Sequence, residues 1–137
     1  MPVIMQLLQG EKDGTISFGN YELTQKTKLQ DFEHNGDLYK VKTFSEITKL
    51  ERNGMFCYES VPGTAVEHYS ITDAGVTFKV EGPRDAQITI ELEDDTEYMV
   101  YINNVNAGKM KTNLSGKLIV SVELSEGVST DVRIVKQ

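Results

Sequence analysis

Two histidines, one cysteine and several crowded carboxylates are the residues of this chain whose types are suited to chemistry. Catalysis needs a nucleophile, acid or base whose pKa is tuned by its surroundings. His34 stands in the polar stretch 31–37, and His68 in Val66-Glu-His-Tyr69. Neither has cysteines or a second histidine at the spacing of a zinc site. Both read as surface or half-buried histidines without a catalytic role. Cys57 sits in the apolar run Met55-Phe-Cys-Tyr58. A reactive thiol needs exposure and electropositive neighbours. The strand order supplies neither, so Cys57 reads as a small buried hydrophobe.

The sharpest charge run is Glu91, Glu93, Asp94, Asp95 and Glu97. A calcium site needs carboxylates converging from a tight loop, usually with a glycine or backbone carbonyls. This run has no such glycine and reads as a solvated turn between strands. Asp31, Glu33, Asn35 and Asp37 alternate in a loop, but no glutamate follows at the twelfth position of an EF-hand. No catalytic, cofactor or metal residue is therefore assigned. A sugar platform needs an exposed ring, and the candidates among the six tyrosines are Tyr39, Tyr58, Tyr69, Tyr98 and Tyr101, with no tryptophan. Met99, Tyr101 and Asn103 share the face opposite Tyr98, Val100 and Ile102. With the latter inward, Tyr101 is exposed. Tyr101, and Asp94 in the acidic turn, are the candidate ligand-binding residues.

Strands must position these groups. Leu118, Val120, Val122 and Leu124 alternate with Lys117, Ser121 and Glu123, with Ile119 the exception, and Ile88, Ile90 and Leu92, and Val76, Phe78 and Val80, alternate with polar residues. Period-two alternation gives one buried and one wet face, as in antiparallel sheets. The stretch 38–43 puts Tyr39 and Val41 on one side and Lys40 and Lys42 on the other. Gly19-Asn20 is expected to turn a hairpin between 16–18 and 21–23. Asn35-Gly36, Asn53-Gly54, Asn103-Asn104, Ala107-Gly108, Ser115-Gly116 and Glu126-Gly127 read as further turns. The segment 44–52 fits a short helix or the first arm of a hairpin turning at Asn53-Gly54, with the hairpin preferred. Residues from about 84 onward form the cleanest meander. The expectation is one all-β domain over 1–137, an antiparallel sandwich of about seven to ten strands, immunoglobulin-like or jelly-roll.

The 137 residues suffice for one hydrophobic core. The net charge of −7, with no evident lysine or arginine cluster, argues against nucleic acid. No stretch has the length and apolarity of a membrane span, and residues 1–9 lack a signal peptide's basic start. A cytoplasmic location is expected, with one cysteine and hence no internal disulfide.

Asp73-Ala-Gly-Val-Thr-Phe78 resembles the Asp-box of sialidases, with Phe78 in place of the tryptophan and Ile71 in place of the serine. That motif closes a β-hairpin. Its carboxylate bonds the turn amides and its aromatic packs beneath. Sialidase chemistry itself uses an arginine cluster, and the chain has only Arg52, Arg84 and Arg133, in unrelated contexts. At Glu59-Ser-Val-Pro-Gly-Thr64, and at 98–116 (Tyr-Met-Val-Tyr-Ile-Asn-Asn-Val-Asn-Ala-Gly-Lys-Met-Lys-Thr-Asn-Leu-Ser-Gly), the chain resembles a family of small bacterial proteins sometimes labelled endosialidase. The resemblance runs over most of the chain and implies no catalytic residues. The stretch 112–122 is similar to a hairpin of immunoglobulin-like modules, which implies a sandwich.

The expected function is a non-catalytic binding or assembly module. Its partner is a protein, a glycan or a second copy of itself, met through strand edges. A glycan-active enzyme and a phage-derived structural subunit are the alternatives.

Overall fold

The computed structural model describes residues 3–137. Among them there is no helix, and two antiparallel sheets pack face to face. The strands are β1 (Leu8–Gly10), β2 (Ile16–Phe18), β3 (Thr27–His34), β4 (Asp37–Phe44), β5 (Ile47–Arg52), β6 (Met55–Val61) and β7 (Ala65–Thr72). They continue with β8 (Gly75–Glu81), β9 (Ala86–Glu91), β10 (Glu97–Ile102), β11 (Val105–Lys111), β12 (Lys117–Val122) and β13 (Thr130–Lys136). One sheet runs β1-β2-β7-β8-β13-β10-β11, and the other β12-β9-β6-β5-β4-β3. The β-sandwich is the expected architecture, with more strands than the seven to ten anticipated.

Turn chemistry sets the hairpins. Asn35 and Gly36 have φ of 52° and 85°, and Asn53 and Gly54 have 53° and 79°. Two successive positive φ values make a type I′ turn, which matches the twist of the strands it joins. Asn53 Oδ1 also accepts from Leu38 N at 2.9 Å, tying two hairpin ends together. Within the segment 44–52, residues 47–52 are therefore the first arm of the preferred hairpin. It enters from a tight turn at Ser45 and Glu46, with Phe44 opposite Ile47.

Several expectations fail for identifiable reasons. Residues 21–23 are not a strand, and β2 pairs with β1 and β7. The chain leaves the sheet after Phe18, and Asn20 N donates to Thr43 Oγ1 at 2.9 Å in the opposite sheet. Tyr21 is buried, its hydroxyl donating to Glu81 Oε2 at 2.9 Å. The stretch 31–37 is no loop: it spans the end of β3, the turn and the start of β4. A bulge between Leu29 and Phe32, with Asp31 at φ 57°, breaks the alternation that would have announced β3. Ala107-Gly108 lies inside β11, where the register against β10 slips. The region after 84 is not a meander, because β9 and β12 belong to one sheet and β10, β11 and β13 to the other.

The Asp-box stretch does close the β7–β8 hairpin, with Thr72 opposite Gly75. Thr72 Oγ1, rather than the Asp73 carboxylate, accepts from Ala74 N at 3.1 Å. Gly75 is required there: a Cβ would stand 1.9 Å from the Ile134 carbonyl oxygen. Phe78 packs beneath, its ring 5.7 Å from Tyr58 and 5.8 Å from Tyr69. Phe18 completes the cluster, meeting Tyr58 and Tyr69 edge to face, an arrangement that adds to simple area burial.

Buried hydroxyls between the sheets pair with one another, as an apolar interior demands. Thr64 Oγ1 bonds both Tyr58 Oη and Ser60 Oγ at 2.8 Å. Thr48 Oγ1 donates to Thr64 O at 3.0 Å and bonds Thr43 Oγ1 at 2.8 Å.

Candidate functional site

Tyr101 lies on the outer face of the seven-stranded sheet, directly opposite Arg133 of β13. It is only half-buried, but its ring is not open. The Arg133 guanidinium sits 4.2 Å from the ring centroid, a cation–π contact worth about 0.5–1 kcal/mol at such a site. Beside them is a shallow basin of about 230 Å³ lined by His68, Thr77, Lys79, Asn104, Asp131 and Arg133. Asp94 is exposed at the other end of β10. Its turn is held by Thr96 Oγ1 donating to Asp94 O at 2.8 Å and Thr112 Oγ1 donating to Glu93 O at 2.6 Å. The fold therefore keeps the two candidate residues apart.

The acidic run diverges. Glu91 pairs with Lys117 at 3.2 Å, Glu93 with Lys136 at 2.5 Å and Asp95 with Lys111 at 3.1 Å. Each carboxylate thus faces a different strand. Among the described residues, no group of three or more histidines, cysteines and carboxylates converges to hold a metal.

His68 occupies a bulge of β7 at φ 55°. Its Nδ1 lies 3.0 Å from both Thr15 Oγ1 and Asp13 Oδ2. Thr15 Oγ1 itself donates to Asp13 Oδ1 at 2.5 Å. A nucleophile–base–carboxylate relay uses the two ring nitrogens for two different partners. Here one nitrogen meets both, and the hydroxyl proton already rests on the carboxylate. The Thr15 hydroxyl and then the Thr15 amide hold Asp13 below the usual carboxylate range. This is a turn lock.

Cys57 is buried, as expected, although Arg52 lies close enough to act on it electrostatically. Burial outweighs that guanidinium and pushes the thiol up to about 11. The groove above it, about 520 Å³, sets Arg52 among Asp73, Glu91 and Glu93.

The outer face of the six-stranded sheet holds what the sequence reading missed. Lys28 lies opposite Lys42, and Lys42 opposite Lys49. The rung continues through Glu59, Thr89 and Ile119. The β3 bulge creates it. Paired regularly from the Asn35-Gly36 turn, with no bulge, Lys28 would instead face Thr43, which points into the core. The Lys26 ammonium stands 5.9 Å from the Phe44 ring centroid, and Lys40 sits two residues from Lys42 along β4, opposite Glu51. Lys49 reaches Glu51 at 3.8 Å, a loose pair. Burial first, then the charges of Lys26, Lys28, Lys40 and Lys49, hold Lys42 below the ordinary lysine range. The expectation that no basic cluster exists is therefore wrong. Five lysines from β3, β4, β5 and the loop before β3 meet on one face. The signal was available only through register: a turn at Ser45 and Glu46 already sets Lys42 against Lys49.

Compared with protein-family models, with curated proteins and with solved structures, the chain matches none.

Proposed function

We propose that this protein is a non-catalytic binding module whose six-stranded outer face takes an anionic glycan. One observation carries the reading: Lys28, Lys42 and Lys49 stand directly opposite one another in a chain of net charge −7. Like charges directly opposite on a sheet are destabilising. Bound anions would relieve that repulsion, so the arrangement costs stability in the free protein and returns it on binding.

The geometry supports an extended ligand. Neighbouring strands lie about 4.8 Å apart, so the rung presents ammoniums in a flat row. That spacing is comparable to one sugar along an extended glycan. A single-stranded nucleic acid would need rings for base stacking. The two phenylalanines on this face are already covered, Phe44 by Lys26 and Phe56 by Lys49 and Lys117. Lysine ammoniums, unlike arginine forks, bind as point charges and suit carboxylates or sulfates in varied orientation.

The test is titration with carboxylated polymers (polygalacturonate and polysialic acid), a sulfated glycan, a neutral glucan, single-stranded DNA and an acidic peptide. Saturable binding to a charged glycan, weakened by salt and lost in Lys42→Glu, is the expected result. Binding confined to DNA or to the peptide, or to none of the probes, would overturn the reading.

A further inference from the structure

The groove of about 520 Å³ above Cys57 draws its lining from both sheets: the β5–β6 hairpin end, the β7–β8 hairpin end and the link from β9 to β10. Arg52 is its unexpected member. Leu50 and Arg52 share the inward face of β5, and Arg52 stands opposite Tyr39, which is buried. The last inward position of this strand is therefore a guanidinium, half-buried at the mouth of the core. Arginine stays charged at any ordinary pH. A charge drawn toward an apolar interior costs free energy unless a counter-charge meets it.

The protein does not supply that counter-charge. Among the described residues, no carboxylate forms an ion pair with Arg52. The groups that act on it are Cys57, Tyr39 and Asp37. Burial pushes the Cys57 thiol up to about 11 and the Tyr39 hydroxyl upward as well, so both are neutral at neutral pH. Asp37 is engaged elsewhere, its Oδ1 accepting from Asn53 Nδ2 at 3.0 Å. On the groove's rim, Glu91 is held by Lys117 and Glu93 by Lys136. Asp73 is exposed on the lip formed by the other sheet.

The rest of the lining offers apolar surface. Ile71 and Leu92 are half-buried against the core, and Met55, opposite Arg52 on β6, is 64% exposed. Methionine adapts its shape to what it touches. Cys57 is the extra residue of the β6 bulge, which is why it and Tyr58 are both buried. Bulges are over-represented beside sites, where they re-aim side chains.

We propose that this groove binds a small carboxylic acid with an apolar body. The carboxylate bonds the Arg52 fork, and the body lies against Ile71, Leu92 and Met55. The volume is that of a small-molecule site. A planar carboxylate matches two parallel guanidinium donors. Charge selects the anion further. A single guanidinium balances one negative charge, and Asp73 opposes a second, so a phosphate monoester is disfavoured. The site stands apart from the lysine face, because Arg52 points inward from β5 and Lys49 outward. It does not depend on the anionic-glycan reading.

The test is calorimetric titration with phenylacetate, hexanoate, phenylacetamide and phenyl phosphate. Both carboxylates should bind saturably, at least roughly tenfold tighter than the amide or the phosphate. Arg52→Gln should weaken them by a similar factor while keeping the fold, checked by circular dichroism. Met55→Glu, at an exposed position, sets a carboxylate against the ligand and should weaken them too. It carries the test if Arg52→Gln unfolds. Lys42→Glu, which removes glycan binding, should leave carboxylate binding unchanged. The proposal is overturned if neither carboxylate binds at millimolar concentration, or if the amide or the phosphate binds as tightly. Carboxylate binding that persists undiminished in a folded Arg52→Gln or Met55→Glu variant, or that is lost in Lys42→Glu, overturns it as well.

Discussion

Two neighbouring rungs of the six-stranded sheet differ by one residue in each strand and by almost everything else. The inward rung is Leu29, Val41, Leu50, Tyr58, Ile90 and Leu118. The outward rung is Lys28, Lys42, Lys49, Glu59, Thr89 and Ile119. Both use the same backbone and the same cross-strand spacing. The inward rung gains from every neighbour it touches, because apolar area leaves water. The outward rung sets like charges side by side and is tolerated because water and salt screen them. The contrast separates what holds the sheet together from what the sheet displays.

Substitution at a single position in each rung tests that separation. Leu50→Ala should cost most. Leu50 is fully buried between Val41 and Tyr58, and such truncations lose about 2–5 kcal/mol. Urea unfolding measures it, and a loss below roughly 1 kcal/mol would mean the inward rung is not the structural one. A polar group that belongs to the interior should come second. Thr64→Val deprives Tyr58 Oη and Ser60 Oγ of their shared partner. The expected loss is about 1–3 kcal/mol, read from the same curves.

Lys42→Gln should have the smallest effect, and the opposite sign. Removing the central ammonium relieves both opposing lysines, a gain of about 0.2–1 kcal/mol in thermal or urea stability. The pH dependence fixes the cause. Lys42 is held below the ordinary lysine range in the folded chain, so its protonated form burdens the fold at neutral pH. That burden lifts as pH rises and the ammonium deprotonates. The gain of the glutamine variant should therefore shrink in alkali. A gain that is unchanged there would point to packing instead of charge.

The inward rungs were legible because each strand announces its own. Val76, Phe78 and Val80 alternate, as do Ile88 and Ile90, and the Asn-Gly turns mark where the chain reverses. β3 was not legible, since its bulge puts Leu29 and Phe32 three apart and disguises a strand as a polar loop. The lysine rung was not legible either, for a different reason. Lys28, Lys42 and Lys49 belong to three strands, and each looks like an ordinary solvated side chain. Only the register that brings them together makes them a feature. Tyr101 illustrates the same point in reverse: its exposure follows from alternation, but the guanidinium over it comes from β13, 32 residues further along.

β13 has a consequence for how each copy is made. It is the last strand in chain order, yet it sits between β8 and β10. β3, β4, β5 and β6 can pair in turn as a ribosome releases them. β8 and β10 cannot complete their sheet that way. Their facing edges stay open until β13 has been synthesised, and they carry Val76, Phe78, Val80, Tyr98 and Val100. Nascent chains on one messenger hold such edges close together, at the stage when strand pairing between chains is easiest. The hazard built into this topology therefore belongs to synthesis, and it ends when the final strand slots into the middle.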